Sequence, residues 1–332
     1  MALLMRKTKD GELYDVAAQE AEQREISRLL EPLNLSAHLS TCPRTSREQA
    51  IYEAALPAAR HNLLYILFVD GVRWIARIRR FNATSPPPDL RDYIMRSEVA
   101  TLQLLSETKV PAPKVFDYGP HGQTPVRVGY ILMEKLPGKS LRWSLTTPEQ
   151  KTKVISQLAD VYISLKSLSF HKMGSLDEPG PDHVGPFARE SLTEYINSQM
   201  IPLGPYTDLR DYHHSSIEFI LRLIMNGESY AGREVDAFLV HRFLLNCVAK
   251  VLLQYRLDDG GFYLRHADDK GDHILVDTDF NITGIEAWRN AAASKLPKWH
   301  TSFDSERSQI PRAELPQNST LEYPSYEYTS PE

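Results

Sequence analysis

The spacing of apolar residues predicts β-structure early in the chain. Residues 63–69 form an unbroken apolar run, and Asp70-Gly71, a pair typical of tight hairpin turns, follows it. Residues 73–79 then alternate, so that Ile75 and Arg77 lie on the same face of the predicted strand. The pattern therefore predicts two strands joined by a hairpin.

One helix and two further strands complete the first half. The prolines at 86–88 predict a loop over residues 81–92, and apolar side chains three residues apart then predict a helix over Met95–Thr108. Residues 110–119 and 128–138 are β-prone and predict two more strands. We therefore expect an antiparallel sheet with one helix.

Beyond residue 148 the pattern becomes mainly helical. Thr147 before Pro148 is typical of a helix N-cap followed by proline at the first helical position, and an apolar stripe follows. Further helices are predicted over residues 191–200, 213–226 and 235–255, and a short β-hairpin around residues 277–279. The predicted fold class is α+β, with a small antiparallel β lobe and a larger, mainly helical lobe.

These patterns divide the chain into four parts. Residues 1–55 form an N-terminal extension in which residues 13–31 predict a surface helix. Residues 56–136 form the β lobe, and residues 137–293 form the helical lobe. Residues 294–332 are rich in Pro, Ser and Thr and poor in aliphatic side chains, so we expect a mostly disordered tail.

Composition excludes several classes of protein. The 38 basic and 43 acidic residues give a net charge of −5, which argues against a nucleic-acid partner. The longest apolar run is far shorter than the ~20 residues that span a bilayer, so no membrane partner is expected. Two distant cysteines and an N-terminus unlike a secretory signal favour a reducing, cytoplasmic location.

The densest polar cluster is His266-Ala267-Asp268-Asp269-Lys270-Gly271-Asp272-His273, and the apolar residues 274–276 follow it directly. Carboxylates in a loop between short strands can face a substrate or a hard cation, which prefers oxygen ligands. On composition alone, a solvated and turn-rich loop explains the cluster equally well.

The order of these features resembles the aminoglycoside phosphotransferase and choline kinase-like family, which has a protein-kinase-like two-lobe fold, and in particular a fungal branch of it. The resemblance covers roughly residues 60–288. It is carried by the strand at 74–78, by Ser97-Glu98-Val99, by the strand at 130–134 and by the loop His266-Ala267-Asp268 to His273.

The resemblance implies a role for each segment in transferring the γ-phosphate of ATP, with Mg²⁺, to the hydroxyl of a small molecule. Arg77 would hold nucleotide phosphates and Glu98 would pair with it. Ile75 would cover the adenine, which the backbone of a hinge strand containing Met133 and Glu134 would contact. Asp268 falls on the catalytic base, which orients the acceptor hydroxyl and accepts its proton.

Departures from the family pattern make the metal site degenerate. His273 replaces the metal-binding Asn of the loop, which leaves Asp272 or Asp269 as a candidate oxygen ligand. Ala287 occupies the place of the metal-binding Asp, and the adjacent Glu286 would need a bulge to substitute for it. The loop at 58–62 lacks the glycines of a nucleotide-covering loop.

Three functions stay open on the sequence. The chain is an ATP-dependent small-molecule kinase, or a pseudokinase that kept the fold as a nucleotide- or protein-binding module. Alternatively it is an interaction protein whose tail, with three late tyrosines, docks a protein partner. Family members continue with further helices where this chain changes to its tail, so the resemblance also implies a shortened helical lobe. The acceptor is open among aminoglycosides, choline-like alcohols and other hydroxyl compounds.

Overall fold

A computed structural model describes residues 24, 50–58, 61–68, 73–79, 85–120, 128–180, 182–253, 261–266, 273–289 and 291–294. Arg24 is helical and exposed; the rest of the helix predicted at 13–31 lies outside the described residues. The Asp70-Gly71 turn, residues 267–272 of the acidic loop and the tail beyond residue 294 also lie outside them.

The β lobe is built on a five-stranded antiparallel sheet in the order β1-β2-β3-β5-β4. Its strands are β1 (Ala50–Ala58), β2 (His61–Phe68), β3 (Arg73–Arg79), β4 (Val115–Gly119) and β5 (Tyr130–Glu134). Pairing of β2 with β3 confirms the two strands predicted around residue 70. Because β1 already begins at Ala50, the boundary predicted at residue 56 falls inside this strand.

Helix α1 (Pro88–Ser106) connects β3 to β4. The loop predicted to extend to residue 92 is wrong at its end, since the last of the three prolines starts the helix. Proline fits there because its missing N–H is not needed in the first turn and its φ is already helical. From Leu90 to Leu105 the helix buries one side against the sheet and the main core.

The described residues of the helical lobe form three long helices and several short strands. The helices are α2 (Pro148–Lys166), α3 (Leu209–Met225) and α4 (Glu234–Leu253). The strands are β6 (Lys139–Ser140), β7 (Ser169–Phe170), β8 (Ser175–Leu176), β9 (Val184–Gly185), β10 (Thr193–Ile196), β11 (Gln199–Pro202), β12 (Phe262–Arg265), β13 (Ile274–Val276), β14 (Ile282–Ile285) and β15 (Ala292–Ser294). This confirms the predicted α+β class, with a small antiparallel sheet lobe and a larger, mainly helical lobe.

The cap predicted at Thr147 is present as a capping box. The Gln150 N–H donates to Thr147 Oγ1, and the Thr147 N–H donates to the Gln150 side chain. The hairpin predicted around residues 277–279 is also confirmed, as β13 paired with β14. Both signals are local in sequence, and tertiary packing did not override them.

The helix predicted over residues 191–200 is wrong, because this segment is the hairpin of β10 and β11. Asn197 and Ser198 form its turn with φ of 52° and 63°. Two successive left-handed residues are the geometry of a type I′ turn, whose twist matches that of paired strands. The flanking Thr193, Tyr195 and Ile196 are β-prone, and this preference prevails over the helical spacing.

The main core lies where α1 meets β7 and β12. Its largest fully buried side chains include Trp288, Phe170, Phe262 and Leu105. None of the helices in the described ranges is long and apolar enough to cross a membrane.

Leu105→Ala tests how much this core contributes to the free energy of unfolding. Leu105 is fully buried in α1, so the substitution should lower the free energy of unfolding by about 2–5 kcal/mol. Leu145→Ala is the matched control, because that leucine is 72% exposed and its loss should cost less than about 0.5 kcal/mol. Urea denaturation measures both, and equal losses would contradict the packing described here.

Candidate functional site

A buried ion pair joins the sheet to α1. Arg77 on β3 contacts Glu98 on α1 through Nη2 and Oε2, and the two side chains are only 13% and 3% exposed. Charges this deeply buried must be paired, because removing each from water costs several kcal/mol. The pairing that the resemblance implied is confirmed.

Ile75 lies on the same face of β3 as Arg77 and packs in a small apolar cluster. Its Cα partner across the sheet is Met133, and Val99 and Ile131 complete the cluster. Ile75 and Met133 are therefore placed side by side, as an apolar cover would require, and their contact with adenine stays a prediction.

Glu134 ends the hinge strand and is tied to the neighbouring strand. Its N–H donates to the Lys114 carbonyl at 2.8 Å, and its carboxylate accepts from the Lys114 N–H at 3.4 Å. The Lys135 N–H donates to the Arg73 carbonyl at 3.3 Å. A base contact at this hinge would therefore use other backbone groups of the segment.

Two stacked histidines hold the ends of the predicted acidic loop together. The His266 and His273 rings are 4.1 Å apart and inclined by 14°, and both side chains are buried. His266 Nε2 lies 2.9 Å from the Glu286 carbonyl, and the Glu286 N–H donates to the His273 carbonyl at 2.9 Å. Since a carbonyl only accepts, His266 carries its proton on Nε2. Both ends of the loop therefore meet at the backbone of Glu286.

The Glu286 carboxyl is affected by the charge of Arg77 from the ion pair. Burial raises the pKa of its carboxyl above the ordinary value of 4.5, and the positive charges of Arg77 and Lys135 act in the opposite direction. The positive charge of Arg77 therefore acts on the Glu286 carboxyl. Arg77, Glu98 and Glu286, which are remote along the chain, therefore lie in the same region of the fold.

The backbone beyond β14 explains how Glu286 reaches this site. The strand ends at Ile285, and Ala287 has a φ of 62°, a left-handed value that is uncommon for a residue with a Cβ. The alternation of side chains along a strand no longer applies past its end, so Glu286 needs no bulge within the strand. The exposed Ala287 methyl group offers no ligand atom.

Only some of the predicted metal ligands lie among the described residues. Among the described residues, no group of three His, Cys, Asp or Glu side chains could hold a metal ion. His273 stacks on His266, and its role as a ligand stays a prediction. Asp268, Asp269 and Asp272 lie outside the described residues, so their roles stay predictions too.

Lys135 was missed by the sequence analysis. It directly follows the hinge strand and contributes positive potential at Glu286. The signal available in the sequence was a cation placed between that strand and the Pro137-Gly138 turn, but a lysine at a strand end is too common to single out.

Comparison with known sequences finds similarity to short stretches of fungal proteins. Subtelomeric hrmA-associated cluster proteins of two Aspergillus fumigatus strains are 38% identical over 128 residues, 37% of this chain and 24% of each relative. Altered inheritance of mitochondria protein 9 of Meyerozyma guilliermondii is 36% identical over 87 residues, 25% of this chain and 14% of that protein. The match thus covers a minor part of these relatives, and no protein-family model matches the chain.

Solved small-molecule kinases show a distant structural likeness. A complex of aminoglycoside phosphotransferase APH(4)-Ia with AMP-PNP and hygromycin B is 15% identical, with a TM-score of 0.44, over 74% of this chain and 68% of that one. An ethanolamine kinase of Plasmodium vivax is 9% identical, with a TM-score of 0.42, over 74% and 57% of the two chains.

Glu98→Leu should destabilise the protein by about 3–5 kcal/mol, because it leaves the Arg77 charge without its closest partner. The double variant Arg77→Met/Glu98→Leu should recover most of that loss, since apolar pairs of similar volume replace buried ion pairs well. Urea denaturation measures both variants. A double variant no more stable than Glu98→Leu would show that the pair does not carry this energy.

Because of Glu286, the free energy of unfolding should decrease as the pH rises. Its pKa is higher in the folded than in the unfolded chain, so its contribution is complete below pH 4.5 and is lost as the pH passes the folded pKa. Glu286→Gln should therefore gain stability relative to the parent protein between acid and neutral pH, measured by urea denaturation.

Glu107→Gln removes the same charge from an exposed helix end and controls for the change in net charge. A difference between the parent and Glu286→Gln that does not change with pH would contradict the burial of this carboxyl.

Proposed function

We propose that this protein is an ATP-dependent phosphotransferase that acts on a hydroxyl group of a small molecule. The observation that carries the proposal is the buried Arg77–Glu98 pair, with Glu286 in the field of the same arginine. Phosphoryl transfer needs a positioned cation for the phosphates, carboxylates for the metal and a base for the acceptor.

In the proposed site, each residue around Arg77 has its own role in phosphoryl transfer. Glu98 fixes the guanidinium of Arg77, whose N–H groups can donate to phosphate oxygens. Ile75 and Met133 provide the apolar surface beside them for adenine. Asp268 follows His266 by two residues in a loop whose ends are tied to Glu286, and it would accept the proton of the acceptor hydroxyl.

The groups present fit Mg²⁺ at Glu286 better than at His273. Mg²⁺ prefers oxygen ligands, and Glu286 offers a carboxylate beside the phosphate-binding cation. His273 offers nitrogen from a ring stacked on His266. In this assignment Glu286 would hold the metal, with Asp272 as a further candidate, and the metal would neutralise charge on the phosphates.

The second candidate function is a pseudokinase that binds nucleotide without transferring phosphate. The methyl group of Ala287 favours it, because this position faces solvent and carries no ligand atom. Under either function we expect a small-molecule ligand, a cytoplasmic location and no nucleic-acid or membrane partner.

Titration with ATP tests both functions. We expect ATP to bind in a Mg²⁺-dependent manner, because the Glu286 carboxylate repels phosphate unless a cation lies between them. Glu286→Gln should weaken this dependence on Mg²⁺, and Arg77→Ala should weaken ATP binding with and without the metal. Calorimetry measures both, and an absence of binding at millimolar ATP would exclude kinase and pseudokinase alike.

Turnover separates the two candidates. In a kinase, Asp268→Asn should abolish ATP consumption in the presence of acceptor while leaving ATP affinity nearly unchanged. In a pseudokinase, the parent protein should show no transfer, and Ala287→Asp should introduce it. A screen of hydroxyl compounds with a coupled ADP assay provides the readout.

A further inference from the structure

One face of α4 exposes a run of large apolar side chains. Val235, Leu239, Val240, Phe243 and Leu244 are between 44% and 73% exposed, whereas Ala237 and Val248 on the other side are buried. The helix packs along α3, which leaves this face to solvent. Monomeric proteins rarely expose a contiguous apolar patch larger than a few hundred Å².

The exposed side chains form a ridge with charges near its ends. At ~100° per residue, Val235, Leu239 and Phe243 follow one another at intervals of four residues along a single line. Asp236 and Lys250 fall within the same arc of about 100°, and both are exposed. Between these charges the same arc carries Leu239, Phe243 and the exposed Asn246, so it is apolar from Leu239 to Phe243 and polar at Asn246. The arc is acidic toward the start of the helix and basic toward its end.

We propose that this ridge is the interface of a homodimer in which the α4 helices of two copies pack antiparallel, with Phe243 on the two-fold axis. Asp236 lies seven residues before Phe243 and Lys250 lies seven residues after it. A two-fold axis at Phe243 therefore places each Asp236 opposite Lys250 of the other copy. The interface is isologous, so one patch serves both partners.

Charge selects the antiparallel arrangement over the parallel one. In a parallel pair Asp236 would face Asp236 and Lys250 would face Lys250, and both contacts are repulsive. The antiparallel pair forms two opposite-charge contacts at the rim, and it also places the positive end of each helix dipole beside the negative end of the other. Leu239 and Phe243 lie between these contacts and supply the apolar centre that stable interfaces have, with Asn246 as a polar group beside them.

The self-complementary pattern is the reason to assign a second copy as the occupant. An unrelated protein partner would need no match between the two ends of this helix. The 20 residues of α4 extend about 30 Å, a length that fits a standard interface of ~800 Å² per partner once neighbouring loops contribute. The inference is independent of the proposed catalytic function.

Sedimentation velocity of the full chain over about a hundredfold range of protein concentration tests the dimer. We expect a concentration-dependent monomer–dimer equilibrium. Phe243→Glu should raise the dimer dissociation constant at least ~100-fold, because it places two charges at the axis. Ile155→Glu is the matched control, since Ile155 is 54% exposed on α2, outside the ridge, and should leave the dimer unchanged.

A charge swap tests the antiparallel register. Asp236→Lys and Lys250→Asp should each weaken the dimer, and the double variant should restore it, because the two contacts are then reversed together. All substituted residues are exposed, and circular dichroism confirms that each variant is folded. A monomer at every concentration, a dimer unaffected by Phe243→Glu, or no rescue by the double variant would overturn the proposal.

Discussion

The buried contact between Arg77 and Glu98 is the constraint on which the rest of the site depends. It joins the central strand of the sheet to α1, and α1 in turn packs into the main core beside Phe262 and Trp288. Two apolar side chains would hold α1 in place at least as well, because desolvating an ion pair offsets much of its attraction. Because the desolvation of Arg77 offsets much of its contribution to stability, we infer that it serves to bind an anion.

The sequence predicted this part of the molecule because its signals are local. Alternation over residues 73–79 gave the strand, and the three-residue spacing after residue 95 gave the helix. The hairpin of β10 and β11 was mispredicted because its turn uses Asn197 and Ser198 rather than glycine, so no breaker interrupts the helical spacing. The loop predicted to extend to residue 92 was wrong because Pro88, a residue that usually interrupts helices, here begins one.

The site itself was less predictable, because its geometry depends on residues that are distant in sequence. The resemblance supplied the pairing of Arg77 with Glu98, which strand and helix periodicity alone could not establish. Stacking of His266 on His273, and the hydrogen bonds of both with Glu286, depend on how β12, β13 and β14 converge. Strand alternation alone does not fix the direction of the Glu286 side chain, because the strand ends one residue earlier and Ala287 has a left-handed φ.

Glu286 determines whether this arrangement can work as a kinase site. A carboxylate in the field of the arginine that we propose to bind phosphate would compete with phosphate for that cation, so by itself it would oppose nucleotide binding. A divalent cation held by Glu286 would reverse this effect, because it would neutralise the negative charge of the carboxylate and of the phosphates. In the proposed site Glu286 would stand in for the aspartate of the family pattern, and it is longer by one methylene and lies one position earlier. The positive charge of Arg77 acts on its carboxyl, and Ala287 directly after it has a left-handed φ of 62°.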